Sequence, residues 1–164
     1  MPREIRWHKA VKEVLKEIGE SRGYDVSESE QEMLLSSKFK MFDDEGRKIH
    51  TSSYKPDVVW KKNHGYRAIF EIEYLSPSSN SQLMDKRKYA IGSFMFAYIA
   101  MIRKSVKCLV FITNNDRLCE EIAKFIKLAK IQYSKNIWYL YEQTTRRSSL
   151  RKSLEETLVN EWKI

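Results

Sequence analysis

Residues 54–75 read YKPDVVWKKNHGYRAIFEIEYL, and this stretch decides the fold. Pro56-Asp57 opens a short apolar run, Val58-Val59-Trp60. A polar turn, Lys61-Lys62-Asn63-His64-Gly65, leads to a longer run that carries Glu71 and Glu73. Two runs rich in Val, Ile, Phe, Tyr and Trp around a Gly-bearing turn predict a β-hairpin. Proline is tolerated at the first strand position, because its missing N–H need not join the ladder there. Side chains alternate along a strand, so Glu71 and Glu73 share one face and Ile72 takes the other. Two such carboxylates in an apolar strand are costly. Buried charges need a partner or a metal, and paired carboxylates repel unless a cation or proton lies between them. Asp57, on the neighbouring strand, offers a third carboxylate. Oxygen-rich clusters of this kind suit Mg²⁺ or Mn²⁺. The alternative is a solvated strand face with two exposed glutamates.

The chain around the hairpin has 164 residues and 42% hydrophobic content, which is expected to make one globular domain. No apolar run approaches the length of a membrane span. The first ten residues, MPREIRWHKA, lack the apolar centre of a signal peptide. Two cysteines, Cys108 and Cys119, are too few for a disulfide framework and read as small core residues. A cytoplasmic protein is the expectation. The net charge of +8 is uneven. Residues 1–50 carry 10 Lys and Arg against 11 Asp and Glu, whereas residues 51–164 carry 20 against 11. The excess therefore lies in the half that begins with the hairpin. A basic surface draws polyanions, although a lysine-rich solvated surface has the same composition.

Apolar spacing predicts a first helix over 4–20, with Ile5, His8, Val11, Val14 (or Leu15) and Ile18 inward. Gly19 and Gly23 read as its stop signals. Glu13 and Glu17 lie on it and can pair with lysines one turn away. Residues 24–53 hold at least one strand, with a turn signal at Asp43-Asp44-Glu45-Gly46. A Ser-rich loop follows the hairpin at 76–81. A long helix over 82–103 carries Leu83, Ala90, Phe94, Ala97, Tyr98 and Met101 inward, and Asp85-Lys86-Arg87-Lys88 near its start. Basic charge there opposes the helix dipole, which favours a functional reason for it over a solvated patch. VKCLVFIT over 106–113 predicts a central strand covered on both sides. Asn115 or Asp116 caps a helix over 117–131, and IWYLY over 137–141 is a further strand. This unit predicts a parallel pair joined by a crossover. The order gives an α/β fold, a mixed central sheet flanked by helices, in a domain over 1–143. A basic helical tail over 144–164 follows. Its Leu150, Leu154, Leu158 and Trp162 recur every four residues and need a surface, on the domain or on a partner subunit.

Pro56-Asp57 on one strand and Glu71-Ile72-Glu73 on the next resemble the PD-(D/E)XK nuclease superfamily, the restriction-endonuclease-like fold. The resemblance spans roughly residues 4–141, with an αβββαβ core. Glu73 stands where the usual lysine would be, as in a minority of restriction enzymes. The resemblance implies Asp57 and Glu71 as metal ligands and Glu73 as a ligand or general base. It also implies an acidic residue on the first helix near the metal, for which Glu13, or else Glu17, is the candidate. Lys86 is the candidate for the displaced lysine, with Lys88 second. The expected function is Mg²⁺-dependent hydrolysis of DNA, with Mn²⁺ as a substitute metal. Lys61, Lys62, Lys88, Arg146, Arg147, Arg151 and Lys152 are then candidate phosphate contacts. A homodimer fits the need for two sites to cut two strands. The alternative reading is an inactive nuclease-fold module that binds nucleic acid or serves an assembly.

Overall fold

The computed structural model describes residues 3–28, 35–36, 41–42, 48–50, 53–75, 80–132 and 134–164. The first apolar stripe forms helix α1 (Arg3–Ser21), followed by strand β1 (Asp25–Glu28). Four short strands follow: β2 (Leu35–Ser36), β3 (Met41–Phe42), β4 (Lys48–His50) and β5 (Ser53–Tyr54). Strand β2 pairs with β5, and β3 with β4. The turn expected at 43–46, and most of the loop expected at 76–81, lie outside the described residues. The hairpin is β6 (Val58–Lys62) and β7 (Gly65–Glu73). Then come α2 (Asn80–Arg103), β8 (Cys108–Thr113), α3 (Asp116–Leu128), β9 (Ile137–Tyr141) and α4 (Arg147–Glu155). A π-helical stretch, Glu156–Glu161, prolongs α4.

One mixed sheet of five strands has the order β1-β6-β7-β8-β9. Strands β1, β6 and β7 are antiparallel, while β7, β8 and β9 run parallel. The parallel half requires crossovers, which α2 and α3 supply. The hairpin turn takes positive φ at Asn63 (52°) and His64 (62°), the two central positions of a tight hairpin turn. Gly65, the residue that signalled the turn, is instead the first residue of β7 and pairs with Lys62.

Helices cover both faces of the sheet. On one face Trp7, Val11, Val14, Leu15 and Ile18 of α1 pack on Val58, Trp60, Phe70 and Ile72. Leu150, Leu154, Leu158 and Ile164 complete that cluster. The tail's leucine stripe is thus buried within the chain's own core. On the other face, Phe94 and Ala97 of α2 and Leu118 and Ile122 of α3 meet Val59, Ile69, Leu109 and Phe111. Strand β8 is buried at all six positions, as its continuous apolar run predicts. The Asn115 side chain caps α3 by accepting from Leu118 N at 3.0 Å.

Gly19 does not end α1, which continues to Ser21. A Cβ at position 19 would lie 2.5 Å from Trp60 Nε1, so glycine is there for close approach to the sheet. Gly23, at φ +75°, marks the turn into β1. The inward stripe of α1 holds Val11, Val14, Leu15 and Ile18 as expected and departs from expectation only near its start. Trp7 is buried, whereas His8 sits at the boundary. Among the described residues, no helix is long and apolar enough to cross a membrane.

Candidate functional site

The two halves of the hairpin bring Asp57 and Glu71 to one end of the sheet. Asp57 precedes Val58, which pairs with Phe70, the neighbour of Glu71. Asp57 Oδ2 accepts the Ile72 amide at 2.9 Å. Its Oδ1 lies 2.8 Å from Lys12 Nζ and 3.2 Å from His8 Nε2. Those two residues stand one turn apart on α1, so a single helix face reads the carboxylate. Glu71 faces the other way, toward α2. Its Oε2 accepts from Ser93 Oγ at 2.7 Å, and its Oε1 accepts from the Tyr54 hydroxyl at the end of β5.

Glu71 is 4% exposed, which overturns the alternative of a solvated face at that position. Glu73 shares its side of the strand and is half-buried. A cavity of about 720 Å³ opens here. Five carboxylates line it: Glu13, Glu28, Asp57, Glu71 and Glu73. Lys9, Lys12, Lys55 and His8 line it as well, and Ser93 closes one side.

The two central carboxyls titrate in opposite directions. Burial, then the charge of Asp57, pushes the Glu71 carboxyl up to about 8, and the Tyr54 and Ser93 hydroxyls only partly counter this. Burial also acts to raise Asp57, but His8 and Lys12 more than offset it and hold that carboxyl below its ordinary value. Burial, and then the charge of Glu71, raises the Tyr54 phenol, which therefore stays a neutral donor. Divergent titration of neighbouring acids is a feature of reactive sites and of structural ion-pair networks alike.

The donor chemistry fits a hard divalent cation. Among the described residues, no three His, Cys, Asp or Glu side chains are grouped as a ready-made metal cage. Mg²⁺ does not require one, since it commonly binds one or two carboxylates and keeps several waters. Asp57 and Glu71 supply such a pair, close enough for the charge of one to raise the other. Glu13 lines the cavity, but its carboxylate is engaged at the rim by Lys9 at 3.8 Å and Arg147 at 3.4 Å.

The other expected residues are dispersed. Lys86 lies in the early turns of α2, with its side chain outside the described residues. Lys88 is exposed on the same helix. Lys61 and Lys62 occupy the far end of β6, about 13–16 Å of strand from Asp57. Lys61 pairs with Asp25 at 3.4 Å, and Lys62 sits over the Tyr24 ring. Arg147 and Arg151 are both held by Glu17 of α1. Arg146 and Lys152 are exposed. Arg147 and Arg151 therefore tie the tail to α1, and neither Arg146 nor Lys152 makes an ion pair among the described residues.

Four residues of the site had no local signal as site members: Lys12, His8, Tyr54 and Ser93. The spacing of His8 and Lys12 shows that they share a helix face. Nothing in it places Asp57 beneath that face. Comparison with protein-family models, with curated proteins and with solved structures returns no match.

Proposed function

We propose that the protein is a metal-dependent endonuclease that hydrolyses phosphodiester bonds in DNA. The observation that carries this reading is the pairing of Asp57 with a buried, raised Glu71 in a cavity that also holds Lys9, Lys12 and Lys55. Asp57 and Glu71 would hold Mg²⁺, with Glu73 beside them. Bound there, the metal supplies an activated water and neutralises charge on the scissile phosphate. The chain's own residues do the rest. Ser93 and Tyr54 hold the two Glu71 oxygens, and the Ile72 amide and Lys12 hold Asp57. Lys9 and Lys55 add positive charge at a cavity whose substrate is a polyanion. The helical order and the mixed sheet are those implied by the resemblance to PD-(D/E)XK nucleases.

The test is cleavage of DNA in Mg²⁺ by wild-type protein, Asp57→Ala and Glu71→Ala. The expected result is loss of cleavage in both variants with DNA binding retained. Wild-type cleavage by either variant would refute the site.

A second reading has its own support. Lys12 already pairs with Asp57 and His8 lies 3.2 Å from it, and Glu73 replaces the lysine of the nuclease pattern. On this reading the protein binds nucleic acid without cutting it. A Mn²⁺ titration separates the two. DNA binding with no metal binding favours the inactive module.

A further inference from the structure

The opposite edge of the sheet holds a second feature. Strand β9 ends the sheet order, so its outer edge pairs with no strand of the five. A groove of about 740 Å³ runs along it, between the C-terminal end of α3 and Trp162. Lys127, Lys130 and Lys135 line it, together with Trp138, Tyr139 and Trp162. Among the described residues, no carboxylate does. All three lysines are exposed, and none makes an ion pair among the described residues. In the first cavity, by contrast, Lys9 and Lys12 face carboxylates.

Lysines at the end of a helix favour its dipole, which accounts for Lys127 and Lys130. It does not account for Lys135, which reaches the same groove from the following 3₁₀ turn, Ser134–Asn136. One of the aromatic groups is also open to a ligand, and the two tryptophans are half-buried beside it. Tyr139 is 42% exposed. Trp138 and Trp162 stack at 4.8 Å between ring centres and border the groove together.

Unpaired cations beside the open face of Tyr139 match a polyanion that also carries flat rings. An acidic peptide would satisfy the lysines and leave the rings bare. A duplex keeps its bases stacked inside, away from Tyr139. A single strand offers phosphates and bases at once, and base stacking on such side chains tolerates any sequence. We propose that the β9-edge groove binds single-stranded nucleic acid, with phosphates on Lys127, Lys130 and Lys135 and a base on Tyr139. The site stands apart from the Asp57–Glu71 cavity, and its occupancy does not depend on cleavage.

Tryptophan fluorescence reads this groove selectively, because Trp7 and Trp60 are 1% and 0% exposed. The full chain is titrated in EDTA with an oligothymidylate of about twelve nucleotides, within the site size of such proteins. The expected result is quenching whose salt slope falls by about 2 in a Lys127→Ala, Lys130→Ala, Lys135→Ala variant. Tyr139→Ala should weaken binding about tenfold with the slope unchanged, and Tyr139→Phe should bind like wild type. Inorganic polyphosphate or polyglutamate quenching as strongly as the oligonucleotide would overturn the proposal. So would a duplex of the same length binding as tightly, or wild-type binding by the lysine and Tyr139→Ala variants.

Discussion

Asp57 Oδ2 accepts the backbone amide of Ile72 at 2.9 Å, so the carboxylate that opens β6 is fastened between the two glutamates of β7. Its other oxygen is fixed from α1 by Lys12 and His8. One acid thus sets the spacing of three elements at the end of the sheet. Asp57→Ala leaves the Ile72 amide and Lys12 without this acceptor. It should cost about 1–3 kcal/mol, the usual penalty for an orphaned buried group. Asp57→Asn keeps an acceptor for the amide and should cost less. Urea unfolding of the two variants checks the order.

Stability should depend on pH through Glu71. Its carboxyl is raised from an ordinary 4.5 to about 8 in the folded protein. Between those values the folded state holds a proton that the unfolded chain has released. Stability contributed by this group therefore falls as pH rises from about 4.5 to about 8, then levels off. Asp57 acts in the opposite sense. Its depressed carboxyl contributes stability above the ordinary 3.8, which is lost as pH falls through the folded value. Glu71→Gln should flatten the slope above pH 5 and raise the thermal midpoint at pH 8 in EDTA. A midpoint lower than that of wild type at pH 8 would contradict this.

Mg²⁺ should oppose the proton at Glu71. A cation held by Asp57 and Glu71 binds the deprotonated carboxylate, so its effect should grow from pH 5 to pH 8. At a hundredfold excess over its dissociation constant it should add about 2.7 kcal/mol. Glu71→Gln should lose most of this gain. Thermal unfolding with and without Mg²⁺ at the two pH values measures the effect.

Gly19→Ala should be disruptive despite lying in a helix, where alanine is the better helix former. The added methyl would meet Trp60 Nε1 at 2.5 Å and Val26 Cγ2 at 2.7 Å. Trp60 has little room to retreat, since it is fully buried and its indole N–H donates to Leu15 O at 3.1 Å. The expected cost is about 1–3 kcal/mol, typical of overpacking. Gly92→Ala on α2 is the control. Apart from its own helix backbone and chain neighbours, no atom of the described residues lies within 4 Å of its Cβ position, so it should be neutral or mildly stabilising.

Much of the fold was legible because its signals are local. The unbroken run through Val110 could only be a strand covered on both sides. Asn115 and Asp116 together announced the start of α3, and Leu150, Leu154 and Leu158 announced a helical face in need of cover. Gly19 misled for a physical reason. A glycine near a helix end looks the same whether it stops the helix or lets a neighbour approach, and the neighbour, Trp60, lies 41 positions away. The candidate site was half legible. Asp57 and Glu71 stood out as acids at a hairpin, and a shared strand face joined Glu73 to Glu71. Lys12, Tyr54 and Ser93 reach those acids through tertiary packing, and no spacing along the chain encodes that. The pairing of Arg147 and Arg151 with Glu17 was likewise invisible along the chain.

The packing of α4 on α1 also sets the order in which this chain can complete itself. Arg147 and Glu17 are 130 residues apart. Translation adds roughly 5–20 residues per second, so α1 waits on the order of ten seconds for the leucines that cover it. During that interval its apolar side has only whatever part of the sheet has already emerged. The newborn chain is thus exposed to self-association until α4 arrives, and slowing the ribosome between the codons of α1 and those of α4 should lower the soluble yield.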